Sequence, residues 1–473
     1  MDATNKDEQT ICALATAAGS GAISVVRISG PRALEITLAA CPGLSAKKIE
    51  SHRAYLTKFK NNLSENIDEV LVTYFANQKS YTGESSVEMS CHGNPLIVEK
   101  ILNRLYQLGA RSAVPGEFTY RAFMNDKIDL VQAEAVLSVI GAQSDSSLKV
   151  SLRQLEGQTS KQFLNIESEL TWCLAHIEAS IDFSTEGLDV VDGRILIEKI
   201  KTILDQIEKM VAGYQSGKIL KDGLKIVFMG LPNVGKSSLM NQVVEKDKAI
   251  VTSVAGTTRD VIESATIFNG LKFIVSDTAG IRETNDIVEK IGVEKSLLES
   301  ASADLSIYVF EASVGLTPKD EGLIRTLSNQ KILFVANKSD CVDSAAQSDL
   351  AQVTAKKLQG YAPTIGATDE KSILFVSALD PACRSQLLLR ATQEFKNLDF
   401  LNESIISSAR QFEMSESAAR AIRQVICELE QMTGSEFVAQ TLKSALLSIQ
   451  KILGHSFDDQ IMDRIFKEFC LGK

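Results

Sequence analysis

The stretch "LKIVFMGLPNVGKSSLMNQVV", residues 224–244, decides how the rest of the chain is read. An apolar run ends at Met229, the pattern G-x-x-x-x-G-K-S occupies Gly230 to Ser237, and a helical stretch follows. That is strand, loop and helix in the order a phosphate cradle requires. The glycines let successive backbone N–H groups turn inward at the positive end of the helix. In such a cradle Asn233, Val234, Gly235, Lys236, Ser237 and Ser238 contact a nucleotide. Lys236 neutralises its β- and γ-phosphates and the Ser237 hydroxyl ligates Mg²⁺.

Working outward, apolar runs closed by loops recur in "LKFIVSDTAG", "LSIYVFEA", "KILFVANKSD" and "SILFVSA", alternating with helical patterns over 221–395. This predicts a buried parallel sheet with crossover helices. In "NKSD" the residues Asn337, Lys338 and Asp340 form a base-reading loop, where Asp340 accepts from N1–H and the 2-amino group of guanine. Adenine would leave that carboxylate unpaired. Ser377, Ala378 and Leu379 bring backbone N–H groups to the guanine O6. Asp277, Thr278, Ala279 and Gly280 form a Mg²⁺- and γ-phosphate-sensing loop. These motifs in this order define a GTP-binding domain.

The switch loop is read in "IVTSVAGTTRD" (250–260), with Thr252, Ser253, Val254, Ala255, Gly256, Thr257 and Thr258 near the nucleotide and Thr258 a Mg²⁺ ligand. No glutamine follows "DTAG", so a Ras-like water-positioning residue is missing. Two devices could neutralise the developing charge: a monovalent cation held by switch carbonyls and Asn233, or Arg259 as an arginine finger. The residues by themselves leave both open.

At 473 residues and 44% hydrophobic content the chain has material for several domains. No apolar run reaches 18 residues without charge, and "MDATNKDEQT" is too acidic for a leader, so a cytoplasmic protein is expected. The eight cysteines contain no C-x-x-C pair, which suits reduced thiols. The four histidines are dispersed, which argues against histidine-centred metal chemistry, and a net charge of −10 argues against a nucleic-acid-coating surface. Residues 1–125 mix short strands with one helix. Helical periodicity fills about 127–217 and returns from about 402 to the end. The economical arrangement is an α/β domain inserted into a helical one.

Beyond the generic motifs, "VVRISG", "YTGE", "PGEFTYRAFMNDKIDLVQAEAV", "GLPNVGKSSLMN", "IVTSVAGTTRD", "DTAGIRET" and "DRIFKEFCLGK" occur in this order along the chain. The whole sequence resembles the MnmE (TrmE) family of tRNA uridine-modification GTPases. The resemblance implies a multidomain α/β and α fold: an N-terminal α+β folate-binding and dimerisation domain (1–126), a discontinuous helical domain (127–220 and 396–473) and an inserted Ras-like P-loop GTPase domain (221–395). It implies GTP hydrolysis that, with an MnmG-type FAD/NADH-dependent partner in a heterotetramer or larger complex, adds an aminomethyl-type (carboxymethylaminomethyl) group to carbon-5 of the wobble uridine of tRNA. A tetrahydrofolate derivative, in the 5-formyl or 5,10-methylene form, would supply the one-carbon unit.

The same resemblance tips the cation question to K⁺, with Asn233, Thr252, Val254 and Thr257 as ligands and a homodimer completing the site. It assigns water orientation to Glu289. Folate contacts fall on Arg27, Glu88, Lys127 and Lys473, and Cys470 becomes a candidate nucleophile beside Lys473. The sequence departs from the family at Ser85, where Asp is usual, and at Asn94, where Gly is usual; Asn at that turn is expected to tolerate a left-handed backbone. The end of the chain is expected to be anchored by Ile461, Met462, Ile465, Phe466 and Phe469 on one helical face. Two readings of other classes are a regulatory GTP switch in ribosome assembly and a folate enzyme carrying a G domain. The former shares every motif from 230 to 379 but lacks reason for the N-terminal block and the "CLGK" end.

Overall fold

Side-chain alternation in the N-terminal strands and unbroken apolarity in the later ones separate two sheets. In a computed structural model of the chain the structure describes residues 9–182, 193–244, 263–276, 302–327, 331–359, 372–395, 406–456, 459–469 and 472. These divide into one unit drawn from Met1–Ile140, Arg153–Glu208 and Glu413–Lys473, and a second from Gly141–Leu152 and Lys209–Phe412.

The first unit opens with β1 (Ile11–Leu14), β2 (Ile23–Ser29), β3 (Ala54–Lys60), β4 (Asn66–Phe75), β5 (Ser86–His92) and β6 (Arg111–Ser112), in the sheet order β3-β4-β5-β2-β1-β6. Neighbours are antiparallel except β1 and β6. In β2 and β5 the buried Val26, Ile28, Val87 and Met89 point to one face, where Ile36 of α1 (Ala33–Ala40) and Ile101 and Leu105 of α2 (Pro95–Gln107) close the core. Period-2 alternation therefore sends Arg27, Ser29, Ser86 and Glu88 to the opposite face. The expectation for Asn94 is corrected. Its backbone is extended (φ −108°) and its Oδ1 caps α2 by accepting from Leu96 N–H at 2.9 Å, with Pro95 in the first turn.

The helices that follow are α3 (Glu117–Met124), α4 (Leu130–Gly141), α5 (Asp145–Leu155), α6 (Gln158–Asp182) and α7 (Gly193–Asp222). None of the described helices is long and apolar enough to cross a membrane.

The second unit carries β7 (Leu224–Met229), β8 (Glu263–Phe268), β9 (Leu271–Ser276), β10 (Leu305–Glu311), β11 (Ile332–Asn337) and β12 (Ile373–Phe375), ordered β12-β11-β10-β7-β9-β8. All neighbours are parallel except β8 on β9. On one face α8 (Lys236–Val243) and α11 (Cys383–Gln393) pack Leu239, Val243, Leu387 and Leu388 against Ile226, Phe273, Ile307 and Val335. On the other, α9 (Pro318–Thr326) and α10 (Ser344–Gln359) place Ile324 and Leu358 on Tyr308, Phe310 and Phe334. A sheet covered on both faces needs strands apolar on both sides, which is why β10 is buried along nearly its whole length. The ends of β7, β9, β11 and β12 share one edge, where ligands of open α/β sheets bind.

The chain closes with α12 (Ala409–Glu430), α13 (Ser435–Leu453) and α14 (Asp459–Lys467). In the first unit α13 packs along α6. Met462, Phe466 and Phe469 are buried with Phe123, Leu130 and Val136, and Ile465 is partly so, as the periodicity of this segment predicts; the Ile461 side chain lies outside the described residues.

Within the second unit the buried Tyr308 hydroxyl donates to Asp320 Oδ1 at 2.8 Å, and Asp320 with Thr317 forms the capping box of α9. Tyr308→Phe leaves that carboxylate one donor short in a dry site. The substitution is expected to cost roughly 1–3 kcal/mol in chemical denaturation of this unit, with the fold retained by circular dichroism.

Candidate functional site

The loop after β7 is shaped by three positions outside the usual backbone region. Gly230 has φ 130°, and a Cβ there would lie 2.1 Å from the carbonyl oxygen of Val309 on β10. Asn233 adopts φ 63°, which turns its peptide into the loop, and Gly235 caps α8 at φ 93°. Ser237 and Ser238 are exposed in the first turn of α8. The Lys236 ammonium donates to the carbonyls of Gly230 (2.9 Å) and Leu231 (2.7 Å), and burial lowers its pKa.

Asn337, at the end of β11, ties this loop to the base-reading loops. Its Nδ2 donates to Val234 O at 2.9 Å and its Oδ1 accepts from Ala378 N–H at 3.2 Å. Gly235 approaches so closely that a Cβ would stand 2.2 Å from that Nδ2. Lys338, at φ 60°, is held by Glu311 Oε2 at 2.6 Å. The Ser377 hydroxyl, which accepts from Leu379 N–H at 3.2 Å, hydrogen-bonds the exposed Asp340 carboxylate and holds its pKa below the usual value. The structure thus brings Asn233, Val234, Gly235, Lys236, Asn337, Asp340, Ser377 and Ala378 to one edge. Thr252, Ser253, Val254, Ala255, Gly256, Thr257, Thr258, Arg259, Asp277, Thr278, Ala279, Gly280 and Glu289 lie outside the described residues, as do Cys470 and Lys473.

On the N-terminal sheet Arg27 and Glu88 are direct cross-strand partners. Arg27 Nε and Nη2 both donate to Glu88 Oε1, at 3.0 and 2.8 Å, while Nη1 stands 3.5 Å from the carbonyl of Gly472. Tyr81 and Phe118 flank the guanidinium with ring centroids at 5.3 and 5.6 Å. Lys127 leans on Gly83 and donates to Gln78 O at 2.6 Å, so it joins the turn that carries Tyr81 rather than the Arg27–Glu88 pair itself. At the departure site, Ser85 donates to the Tyr74 hydroxyl at 3.2 Å.

Beside this pair lies a buried polar network that sequence reasoning missed. Ser29 donates to Glu84 Oε2 at 2.8 Å and sits 2.7 Å from the Thr82 hydroxyl. Arg121, with a side chain only 3% exposed, bonds both oxygens of Glu84, the Gln9 carbonyl, and Glu117 on its own helix. Arg111 closes the far side of Glu117. The signal was present in "YTGE" and "PGEFTYR", but as family markers; nothing local says that Glu84, Glu117 and Arg121 meet.

A mostly parallel sheet with a glycine cradle and a base-reading Asn-Lys-x-Asp loop on one edge is a P-loop GTPase. A family model for the MnmE helical domain matches residues 130–470, and one for the GTP-binding protein TrmE N-terminus matches 10–127. A tRNA modification GTPase MnmE of Bdellovibrio bacteriovorus is 45% identical over 473 residues, covering 99% of this chain and 98% of its own. One from Clostridioides difficile is 37% identical over 98% of this chain and 99% of its own. Among solved structures, Aquifex aeolicus Era shares 26% identity over 42% of this chain and 66% of its own, at a TM-score of 0.29, too low to bear on the fold. The chain belongs to the MnmE family of tRNA modification GTPases.

The buried network has a pH signature. Burial pushes the Glu117 carboxyl upward, but hydrogen bonds from Arg111 and the Val114 N–H, with the charges of Arg111 and Arg121, outweigh it and leave the pKa lowered. A lowered folded-state value adds stability that is present above the unfolded carboxylate pKa of about 4.3 and is lost as pH falls below it. Denaturation of the wild type is therefore expected to become easier on acidification through that range. Glu117→Gln should flatten part of that slope while lowering stability at neutral pH.

Proposed function

We propose that this GTPase couples K⁺-dependent GTP hydrolysis to one-carbon chemistry at carbon-5 of a tRNA wobble uridine, together with an FAD-dependent partner of the MnmG type. In this reading residues 1–126 bind folate and dimerise, 127–220 and 396–473 form the helical domain, and 221–395 hydrolyse GTP. The supporting observation is the meeting of Arg27, Glu88 and the Gly472 carbonyl on one sheet face.

The residues suit the ligands proposed for them. Both Arg27 contacts fall on Oε1 of Glu88, so Oε2 can accept from the N–H edge of a pterin. Tyr81 and Phe118 offer apolar walls next to the guanidinium. Lys127 and Lys473 are the cations proposed for a glutamate tail, and Arg27 stays with Glu88 at the pterin end. When bound, a tetrahydrofolate derivative, in the 5-formyl or 5,10-methylene form, supplies the one-carbon unit. Cys470 is the candidate nucleophile beside it.

At the GTP edge Ser237 and Thr258 would hold Mg²⁺, and Lys236 the phosphates, with its lowered pKa restored by the anions it meets. Asn233, Thr252, Val254 and Thr257 would hold K⁺ across a homodimer in place of an arginine finger, and Glu289 would orient water. Asp340, held ionised by Ser377, reads guanine. With a net charge of −10 the chain leaves most of the grip on tRNA to the partner.

Nucleoside analysis of tRNA from a strain lacking the gene is expected to show loss of the carbon-5 substituent on the wobble uridine; an unchanged nucleoside profile would refute the reading. Hydrolysis should be fast in KCl and slow in NaCl, and equal rates would transfer the charge role to Arg259. Asp340→Asn should lower GTP affinity by about two orders of magnitude or more and turn preference toward xanthine nucleotides, measured by competition binding.

A further inference from the structure

Three glycines lie where the last part of the chain meets the N-terminal residues, two of them in backbone-on-backbone contact. Gly116, the N-cap of α3, has φ 73°, and a Cβ there would stand 2.4 Å from the carbonyl oxygen of Phe466 on α14. Gly472 has φ 91°, and its Cβ would lie 2.1 Å from Leu14 O and 3.0 Å from Ala15 Cα at the end of β1. Between these, Gly454 ends α13 at φ 88°, with a Cβ position 2.6 Å from the ring of Phe123. The arm from 454 to 472 thus touches the N-terminal residues at its start, middle and end. Two of the three contacts are main chain on main chain, where no rotamer change can make room.

The side chains reinforce the seat. Phe466 meets Tyr120 edge-on at 5.3 Å and Phe469 in a stack at 5.5 Å, with Phe123 at 6.5 Å. The outcome of this docking is the position of the Gly472 carbonyl beside Arg27, 445 residues earlier in the chain.

The geometry points to Gly116, Gly454 and Gly472 as positioning residues that seat the C-terminal arm and so complete the site around Arg27 and Glu88. The inference rests on the reading of that site as the folate pocket, but the seating of the arm can be measured without any ligand. Gly116 meets α14 at the Phe466 carbonyl and also caps α3, whose Phe118 flanks Arg27, so Phe466→Ala is the variant that isolates the route through α14. Packing alone would affect stability, whereas a positioning role also moves ligand affinity while the GTPase unit keeps its rate.

The test uses the full chain and two variants. Gly116→Ala introduces the clash, and Phe466→Ala unloads the same seat without changing any glycine. In both, amide hydrogen exchange over 459–469 should accelerate about tenfold or more while the core strands β2 and β5 stay protected. Affinity for 5-formyltetrahydrofolate should fall by a similar factor at an unchanged rate of GTP hydrolysis in KCl. Unchanged exchange over 459–469 in either variant overturns the proposal, and so does faster exchange with undiminished folate affinity. A wild-type chain that binds no 5-formyltetrahydrofolate refutes the ligand reading by itself, and exchange then decides the seat independently.

Discussion

The nucleotide edge hangs on one buried amide. Asn337 gives its Nδ2 to the Val234 carbonyl and its Oδ1 to the Ala378 N–H, so the loops after β7, β11 and β12 share one fixed reference. Each of those loops is irregular backbone with few ladder bonds of its own. Left to themselves they would sample many conformations, and a phosphate cradle works only when its N–H groups already point inward. The close approach of Gly235 to the same amide explains why the second glycine of the motif cannot carry a side chain.

The rest of the second unit serves that edge. Apolar residues on both faces of the sheet fix the strand ends to within a residue, because a shift along a parallel ladder would break the pairing of Asn337 with Glu311 and of Ile226 with Leu305. Val309 then presents its carbonyl to Gly230, and Glu311 anchors Lys338. Strand register is thereby converted into loop position.

The first unit uses charge instead. Arg121 is buried between Glu84 and Glu117, and breaking such a pair from one side costs roughly 3–5 kcal/mol because the remaining charge stays dry. The network joins the "YTGE" turn to α3, and those two segments supply Tyr81 and Phe118 to the walls around Arg27. A polar cluster of this kind specifies one arrangement of turn and helix, where an apolar contact would tolerate several.

What the sequence by itself determined is everything carried by contiguous residues. "KIVFMGLPNVGKSS" is at once strand, loop and helix start, and "NKSD" holds the base-reading carboxylate within four positions; backbone geometry and hydrophobic period are local, so both could be read directly. The alternation in β2 and β5 is local too, and it sets Arg27 and Glu88 opposite the buried Val26 and Met89. The tertiary structure alone decided that Arg27 would pair with Glu88, 61 residues away, that Arg121 would meet Glu84, and that Gly472 would reach Arg27. It also decided that Asn94 caps a helix instead of taking a left-handed turn. Those outcomes depend on strand register and on which helix end docks where. Register and docking are settled by the summed burial of many distant side chains, and no short stretch of sequence contains that sum.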